Sequence, residues 1–196
     1  DRIIAATALG RAILADDGLD PFLEQAATVW LAHWQVAGTP DMTTTAYYAF
    51  NHLSAIEFDP AMLLEELFSL VQENGWRATR GTLKRDIEVF LRSYVRRGDT
   101  LNEDAAEPLL AELAIIREAR LGGWYEFVRG PKPTLHDAVF AFALGDFWER
   151  SGGATASQWA LHALGHVGSD AVVKQLAADI RRWPREKAKA RALVAL

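Results

Sequence analysis

The chain has 196 residues, half of them hydrophobic and 24% charged, a composition that supports a packed core and excludes an intrinsically disordered chain. It contains no cysteine, which removes disulfides, thiolate metal sites and cysteine nucleophiles. The formal net charge of −5 is segregated: residues 1–76 carry Arg2 and Arg11 against eleven acids, whereas residues 77–97 carry seven bases (Arg77, Arg80, Lys84, Arg85, Arg92, Arg96, Arg97) against Asp86 and Glu88.

A second basic stretch spans 174–191, with seven bases against Asp179 and Glu186. Such asymmetry suits a surface for a polyanion or an acidic protein, and it equally suits solvated helix faces; charge alone does not separate the two. No apolar run approaches the roughly 18 residues of a membrane span, and no signal peptide opens the chain, so a soluble cytoplasmic protein is expected. The first residue is Asp1 rather than methionine, and the expectation is a fragment whose chemistry sits partly in a preceding region.

In chain order, Thr7 is expected to cap a helix through Leu14. Asp20-Pro21 is expected to open another that runs through Trp30, Leu31, Trp34 and Val36 and stops at Gly38-Thr39-Pro40. Thr43, Thr44 and Thr45 precede an aromatic helix over 46–53. Trp30, Trp34, Tyr47, Tyr48 and Phe50 could form a base-stacking platform. Aromatics at helical spacing pack on one another, however, and core is the preferred assignment.

Asp59-Pro60 starts a helix in which Leu63, Leu64, Leu67, Leu70 and Val71 recur at helical period, and Asn74-Gly75 ends it. After a turn, a second helix is predicted from Leu83. Leu83, Ile87, Phe90, Leu91, Tyr94 and Val95 form its apolar stripe, and Arg85, Arg92 and Arg96 form a ridge on the opposite face. Helix, turn and arginine-bearing helix are the order of a helix-turn-helix, although such pairs are common in all-α proteins without nucleic acid.

Residues 98–112 form an acidic connector with a short helix. Leu113–Ile116 and Trp124–Val128 flank Leu121-Gly122-Gly123 and predict a β-hairpin, placed as a wing would be, with Arg117, Arg120 and Arg129 available to a backbone. Arg129-Gly-Pro-Lys-Pro-Thr134 is a stiff basic loop, and Thr134 is expected to cap an apolar helix from Leu135 to Arg150. Short helices capped by Thr155 and Ser169-Asp170 and a basic helix interrupted by Pro184 complete the chain.

Chemical motifs are sparse. His162 and His166 stand one helical turn apart, but the zincin glutamate is replaced by Ala163. Asp86 and Glu88 beside Lys84 are the candidate carboxylates of a metal-dependent nuclease, yet residues two apart diverge on a helix. His52, Glu57 and Asp59 form a further loose group. No phosphate-binding glycine loop and no nucleophile elbow occurs.

Four segments appear in order: Leu19-Asp-Pro-Phe-Leu-Glu-Gln-Ala-Ala-Thr-Val-Trp-Leu-Ala-His-Trp34, Tyr47-Tyr-Ala-Phe-Asn-His52, Thr82-Leu-Lys-Arg-Asp-Ile-Glu-Val-Phe-Leu-Arg-Ser-Tyr94 and Arg129-Gly-Pro-Lys-Pro-Thr134. Together they resemble a bacterial domain family associated with DNA phosphorothioation, the installation of sulfur in the DNA backbone as an antiphage mark. The resemblance implies a protein that binds and nicks DNA, with Mg2+ or Mn2+ as cofactor if it nicks. It implies a cysteine desulfurase, an ATP-pyrophosphatase-like protein and an ATPase as partners. No catalytic motif of the family carries over residue by residue.

The expected fold is therefore mainly α: a helical bundle with a helix-turn-helix (winged-helix-like) pair and one small β-hairpin. Its parts are expected over 1–58, 59–134 and 135–196. Candidate DNA-binding residues are Arg80, Lys84, Arg85, Arg92, Arg96, Arg129 and Lys132, and candidate catalytic residues are Asp86 and Glu88. The competing expectation is a non-catalytic helical scaffold that docks partner proteins.

Overall fold

In a computed structural model, residues 5–41, 43–96, 107–120 and 122–150 are described. Positions 98–106 of the expected acidic connector, the expected helices beyond 150, the pair His162 and His166, and the basic stretch 174–191 lie outside them. Among the described residues the fold is mainly α, with six α-helices and a three-stranded antiparallel sheet. No helix among them is long and apolar enough to cross a membrane.

Helix α1 (Ala8–Leu14) begins where expected, because the Thr7 hydroxyl accepts the Gly10 amide at 3.0 Å. Helix α2 (Ala26–Ala37) does not open at Asp20-Pro21. Asp20 is buried and accepts the amides of Glu24 (2.9 Å) and Gln25 (3.0 Å), while Leu23 adopts a left-handed φ of 58°. A carboxylate able to cap a helix is equally able to close a loop, and Leu23 breaks the helical run between them. Burial opposes ionisation of Asp20, but hydrogen bonds from Thr28 and from the amides of Gln25 and Glu24 outweigh it and hold the carboxyl below its usual range.

Helix α3 (Thr44–Asn51) is followed by a two-residue strand, β1 (Glu57–Phe58), and by helix α4 (Pro60–Glu73). Asp59 caps α4 by accepting the Met62 amide at 2.7 Å, with Pro60 at the first helical position. Gly75 ends it with a φ of 65°, which a side chain would resist. Helix α5 (Arg80–Tyr94) starts at Arg80 rather than Leu83, because the Thr79 hydroxyl accepts the Thr82 amide at 3.2 Å. Its buried stripe is Leu83, Ile87, Phe90, Leu91 and Tyr94, as the periodicity predicts. Val95 is already extended, so Arg96 has left the helix and the expected ridge stops at Arg92.

A 3-10 helix (Leu109–Leu113) ends at Ala114 with a left-handed φ of 48°. Strand β2 (Ile116–Arg120) therefore begins where the expected strand over 113–116 was to end; the apolar side chains of Ala111 and Leu113 go into the core from the 3-10 turn instead. Strand β3 (Trp124–Phe127) pairs with β2 across Gly122 and Gly123, whose φ values of 111° and 85° meet the turn's need for glycine. The expected lone hairpin is in fact three-stranded, in the order β1-β3-β2, with Phe58 opposite Tyr125 and Glu57 opposite Glu126. A two-residue strand carries no alternation to read, which is why β1 was not foreseen. It joins segment 1–58 to segment 59–134.

Helix α6 (Asp137–Arg150) starts after, not at, Thr134. The Thr134 hydroxyl accepts the indole N–H of Trp30 at 3.1 Å and is not a cap. One core unites these elements: Trp30, Leu31 and Trp34 of α2, Phe58 of β1, Leu63 and Leu67 of α4, the α5 stripe, and Val139, Phe142 and Leu144 of α6. Trp30 and Trp34 are buried as expected, whereas Tyr47, Tyr48 and Phe50 are only partly so.

Candidate nucleic-acid interface

The amphipathic pattern of α5 forces its charged residues outward. Lys84, Arg85, Asp86, Glu88 and Arg92 are all exposed, as is Arg96 just beyond the helix. Arg85 and Arg92 are two turns apart, about 10.5 Å along the axis, which is about three base-pair rises of B-DNA. Arg92 donates from Nε to the Glu88 carbonyl at 3.3 Å, within its own helix.

Arg80 differs from its neighbours. It grips Glu65 of α4 with both ends of its guanidinium, one bond being 2.8 Å, and lies 4.2 Å above the Phe68 ring. The hydrogen bond with Arg80 holds the Glu65 carboxyl below its usual range, against the opposing effect of desolvation. A phosphate at Arg80 would have to displace that carboxylate. Asp86 and Glu88, two residues apart, project about 200° from each other around α5. Among the described residues no three His, Asp or Glu side chains are grouped to hold a metal ion.

Arg129 and Lys132 are elsewhere. They line a cleft of about 580 Å³ between α2, α3, the β3–α6 loop and α6. Its walls carry Trp30, His33, Trp34, Phe50, Asn51, His52 and Ser54. The described lining residues include one arginine, one lysine, two histidines and no carboxylate, in a chain where acids outnumber bases 26 to 21. Such a concavity focuses a positive potential. Arg129 is exposed, and among the described residues it makes neither an ion pair nor a hydrogen bond. Lys132 donates from Nζ to the Val128 carbonyl at 2.6 Å, and burial pushes its pKa down.

His33 sits against the rings of Trp30, Phe50 and Tyr94, with centroids 5.7, 4.9 and 5.6 Å away, each nearly perpendicular to it. Its Nδ1 is 2.8 Å from the Tyr94 hydroxyl. Burial lowers the imidazole pKa to about 4 and raises that of the phenol, so both are neutral at pH 7. Asn51 spends its amide N–H groups on the carbonyls of Ala37 (2.9 Å) and Tyr47 (2.8 Å), which leaves its side-chain oxygen as an acceptor.

The sequence reading singled out Arg129 and Lys132 but placed them on a wing and a loop. It did not single out His33, Asn51 or Ser54. A signal existed: three of the four ordered segments, 19–34, 47–52 and 129–134, contribute walls of this one cleft, and the fourth contributes Tyr94 behind His33.

Among curated proteins, none matches the sequence. Two solved structures are similar over 96% of this chain and 75% of theirs: the crystal structure of SspB, at 19% identity and a TM-score of 0.65, and magnesium ion-bound SspB, at 18% and 0.63. At such identity the likeness is one of fold. A family model described as "Protein of unknown function (DUF4007)" matches residues 1–172, and the chain belongs to that family.

Proposed function

We propose that this chain is a DNA-binding component of a bacterial DNA phosphorothioation system for antiphage defence, and that it nicks DNA in the cytoplasm to give sulfur access to the backbone. The observation that carries the reading is the solvent-facing arginine pair of α5, on a fold shared with SspB over 96% of the chain. Four ordered sequence segments that resemble the phosphorothioation-associated family support it. In this reading α4 and α5 act as the helix-turn-helix-like pair. Lys84, Arg85 and Arg92 touch phosphates, with Arg96 beside them, and the cysteine desulfurase, ATP-pyrophosphatase-like protein and ATPase of the system are partners.

Nicking carries with it a requirement for Mg2+ or Mn2+, and one of the two similar structures is magnesium-bound SspB. Among the described residues Asp86 and Glu88 do not converge and no third ligand joins them, so they do not form a site for that ion and no catalytic step is built on them.

The test is DNA binding and plasmid relaxation across a salt series, with and without Mg2+ or Mn2+. Binding should fall log-linearly with salt, and metal-dependent relaxation of supercoiled plasmid should accompany it. Absence of DNA binding at low salt would overturn the reading. One observation favours a docking scaffold instead: Trp76 and Val89 are 48% and 54% exposed beside an apolar groove along α5. That alternative predicts capture of a phosphorothioation partner by a chain that ignores DNA.

A further inference from the structure

The cleft holding Arg129 and Lys132 is chemically unlike the α5 face, and its contents specify a ligand. A site for an inorganic anion needs only cations and donors. This one adds a large aromatic wall: Trp30, His33, Trp34 and Phe50 line it together with Leu135, Val139 and Phe140. Its volume of about 580 Å³ lies within the roughly 300–1,000 Å³ usual for small organic ligands. One short loop, Arg129-Gly-Pro-Lys-Pro, supplies both basic residues of the lining, and Gly130, with a φ of 104°, makes the bend between them.

The cations lack the counter-charge that surface cations ordinarily find. Lys132 is partly withdrawn from water and bonded only to a carbonyl among the described residues, and no described carboxylate lines the cavity. A bound oxyanion would supply that charge through charge-assisted hydrogen bonds. The lining also includes the exposed His52 and Ser54, and Asn51 offers its side-chain carbonyl oxygen, a set able to read the polar edge of a heterocycle. The indole of Trp30 is fixed by its bond to Thr134, so the aromatic wall is preorganised.

We infer that this cleft is a nucleotide-binding site: Arg129 and Lys132 hold one phosphate, and the base lies in the aromatic interior beside Trp30, His33 and Phe50. The inference rests on the reading of the chain as a DNA-acting protein and names a subsite for it. The same chemistry is offered by a free nucleotide and by an unpaired nucleotide of a DNA strand.

Calorimetric titration with thymidine 5′-monophosphate, thymidine and inorganic phosphate tests it. The monophosphate should bind about tenfold more tightly than either fragment, because it alone engages both halves of the site. Arg129→Ala and Lys132→Met should each weaken it about tenfold, Arg129→Lys and Lys132→Arg should restore most of the loss, and Arg77→Ala, an exposed base outside the cleft, should change nothing. Melting curves of each variant show that the fold is retained.

Competition then distinguishes the source. Displacement of the monophosphate by a single-stranded oligonucleotide identifies DNA, and no displacement identifies a free nucleotide; both support the site. Phosphate binding as tightly as the monophosphate would reduce the cleft to an anion site and overturn the inference, as would nucleotide binding that survives both Arg129→Ala and Lys132→Met. No monophosphate binding by a chain that still binds DNA salt-sensitively sinks the cleft and spares the proposed function. The reverse pattern, nucleotide bound and DNA ignored, sinks the proposed function and spares the cleft.

Discussion

On the outer face of α5, Arg85 and Arg92 stand in solvent on a helix whose other side is packed on α4, and nothing but water and salt need surround them. In the cleft, Lys132 is partly withdrawn from water, His33 is held neutral among three rings, and Arg129 shares the lining with aromatic residues. The first arrangement leaves long-range attraction easily screened by salt and stores almost no folding energy in the charges themselves. The second ties charge to burial, so changes in ligand or pH there reach the stability of the whole domain. Two basic regions in one chain thus hold their charge differently, one open to screening by salt and the other coupled to burial.

The largest expected effect tests whether the two regions share one core. Ile87 faces inward from α5 and is 1% exposed. Ile87→Ala should cost about 2–5 kcal/mol in chemical denaturation and should lower nucleotide and DNA binding together near the melting temperature. Independent loss of one activity at temperatures where the other survives would show that the regions unfold separately.

Acid comes next, and it acts on the cleft. His33 has a folded pKa of about 4 and an unfolded one near 6.5, so the unfolded chain binds the extra proton. Stability from this residue is therefore full above about pH 6.5, falls as pH drops, and levels off below about pH 4, with a total loss of about 3 kcal/mol. Tyr94, whose phenol is pushed up by burial, keeps its proton throughout that window. Melting curves from pH 7 to 4 should show the decline, and His33→Phe should flatten it.

Smaller still is the cap of α5. Thr79→Ala removes the acceptor for the Thr82 amide and should cost about 1 kcal/mol, read as a shift in denaturation midpoint with an unchanged slope. The smallest stability effect belongs to Arg85→Ala/Arg92→Ala, within about 0.5 kcal/mol of the parent. The same double variant should lower the salt slope of DNA binding by about two units, one for each lost phosphate contact. A large stability loss in that variant, with the salt slope intact, would reverse the comparison.

The α4–α5 pair was legible because its signals are local. Asp59 and Thr79 sit next to the amides they cap, and the buried stripe of α5 repeats every three or four residues. The start of α2 was misplaced because Asp20-Pro21 has the residues of a helix start, and only the left-handed Leu23 and the burial of Asp20 show that it closes a loop. The cleft was not legible from periodicity at all. Its walls come from positions near 30, 50 and 130, brought together by packing rather than by spacing, and Thr134 had the appearance of a cap while serving as the partner of a tryptophan over a hundred residues away.

The C-terminal arginine of α6 carries a consequence for how the molecule comes together. Arg150 donates to the Gly38 carbonyl at the end of α2 at 2.7 Å and to the Thr39 hydroxyl at 3.2 Å, joining positions 112 and 111 residues apart. Arg80 and Glu65, by contrast, lock α5 to α4 across 15 residues. Closing the longer loop loses more chain entropy and requires every intervening element to be in place. The helical pair can therefore assemble by local collapse, whereas the cleft comes into being only when α6 returns across the chain and Arg150 fastens it. In hydrogen exchange, amides at the ends of α2 and α6 should therefore open before those of the α4–α5 pair, and a nucleotide seated in the cleft should slow them.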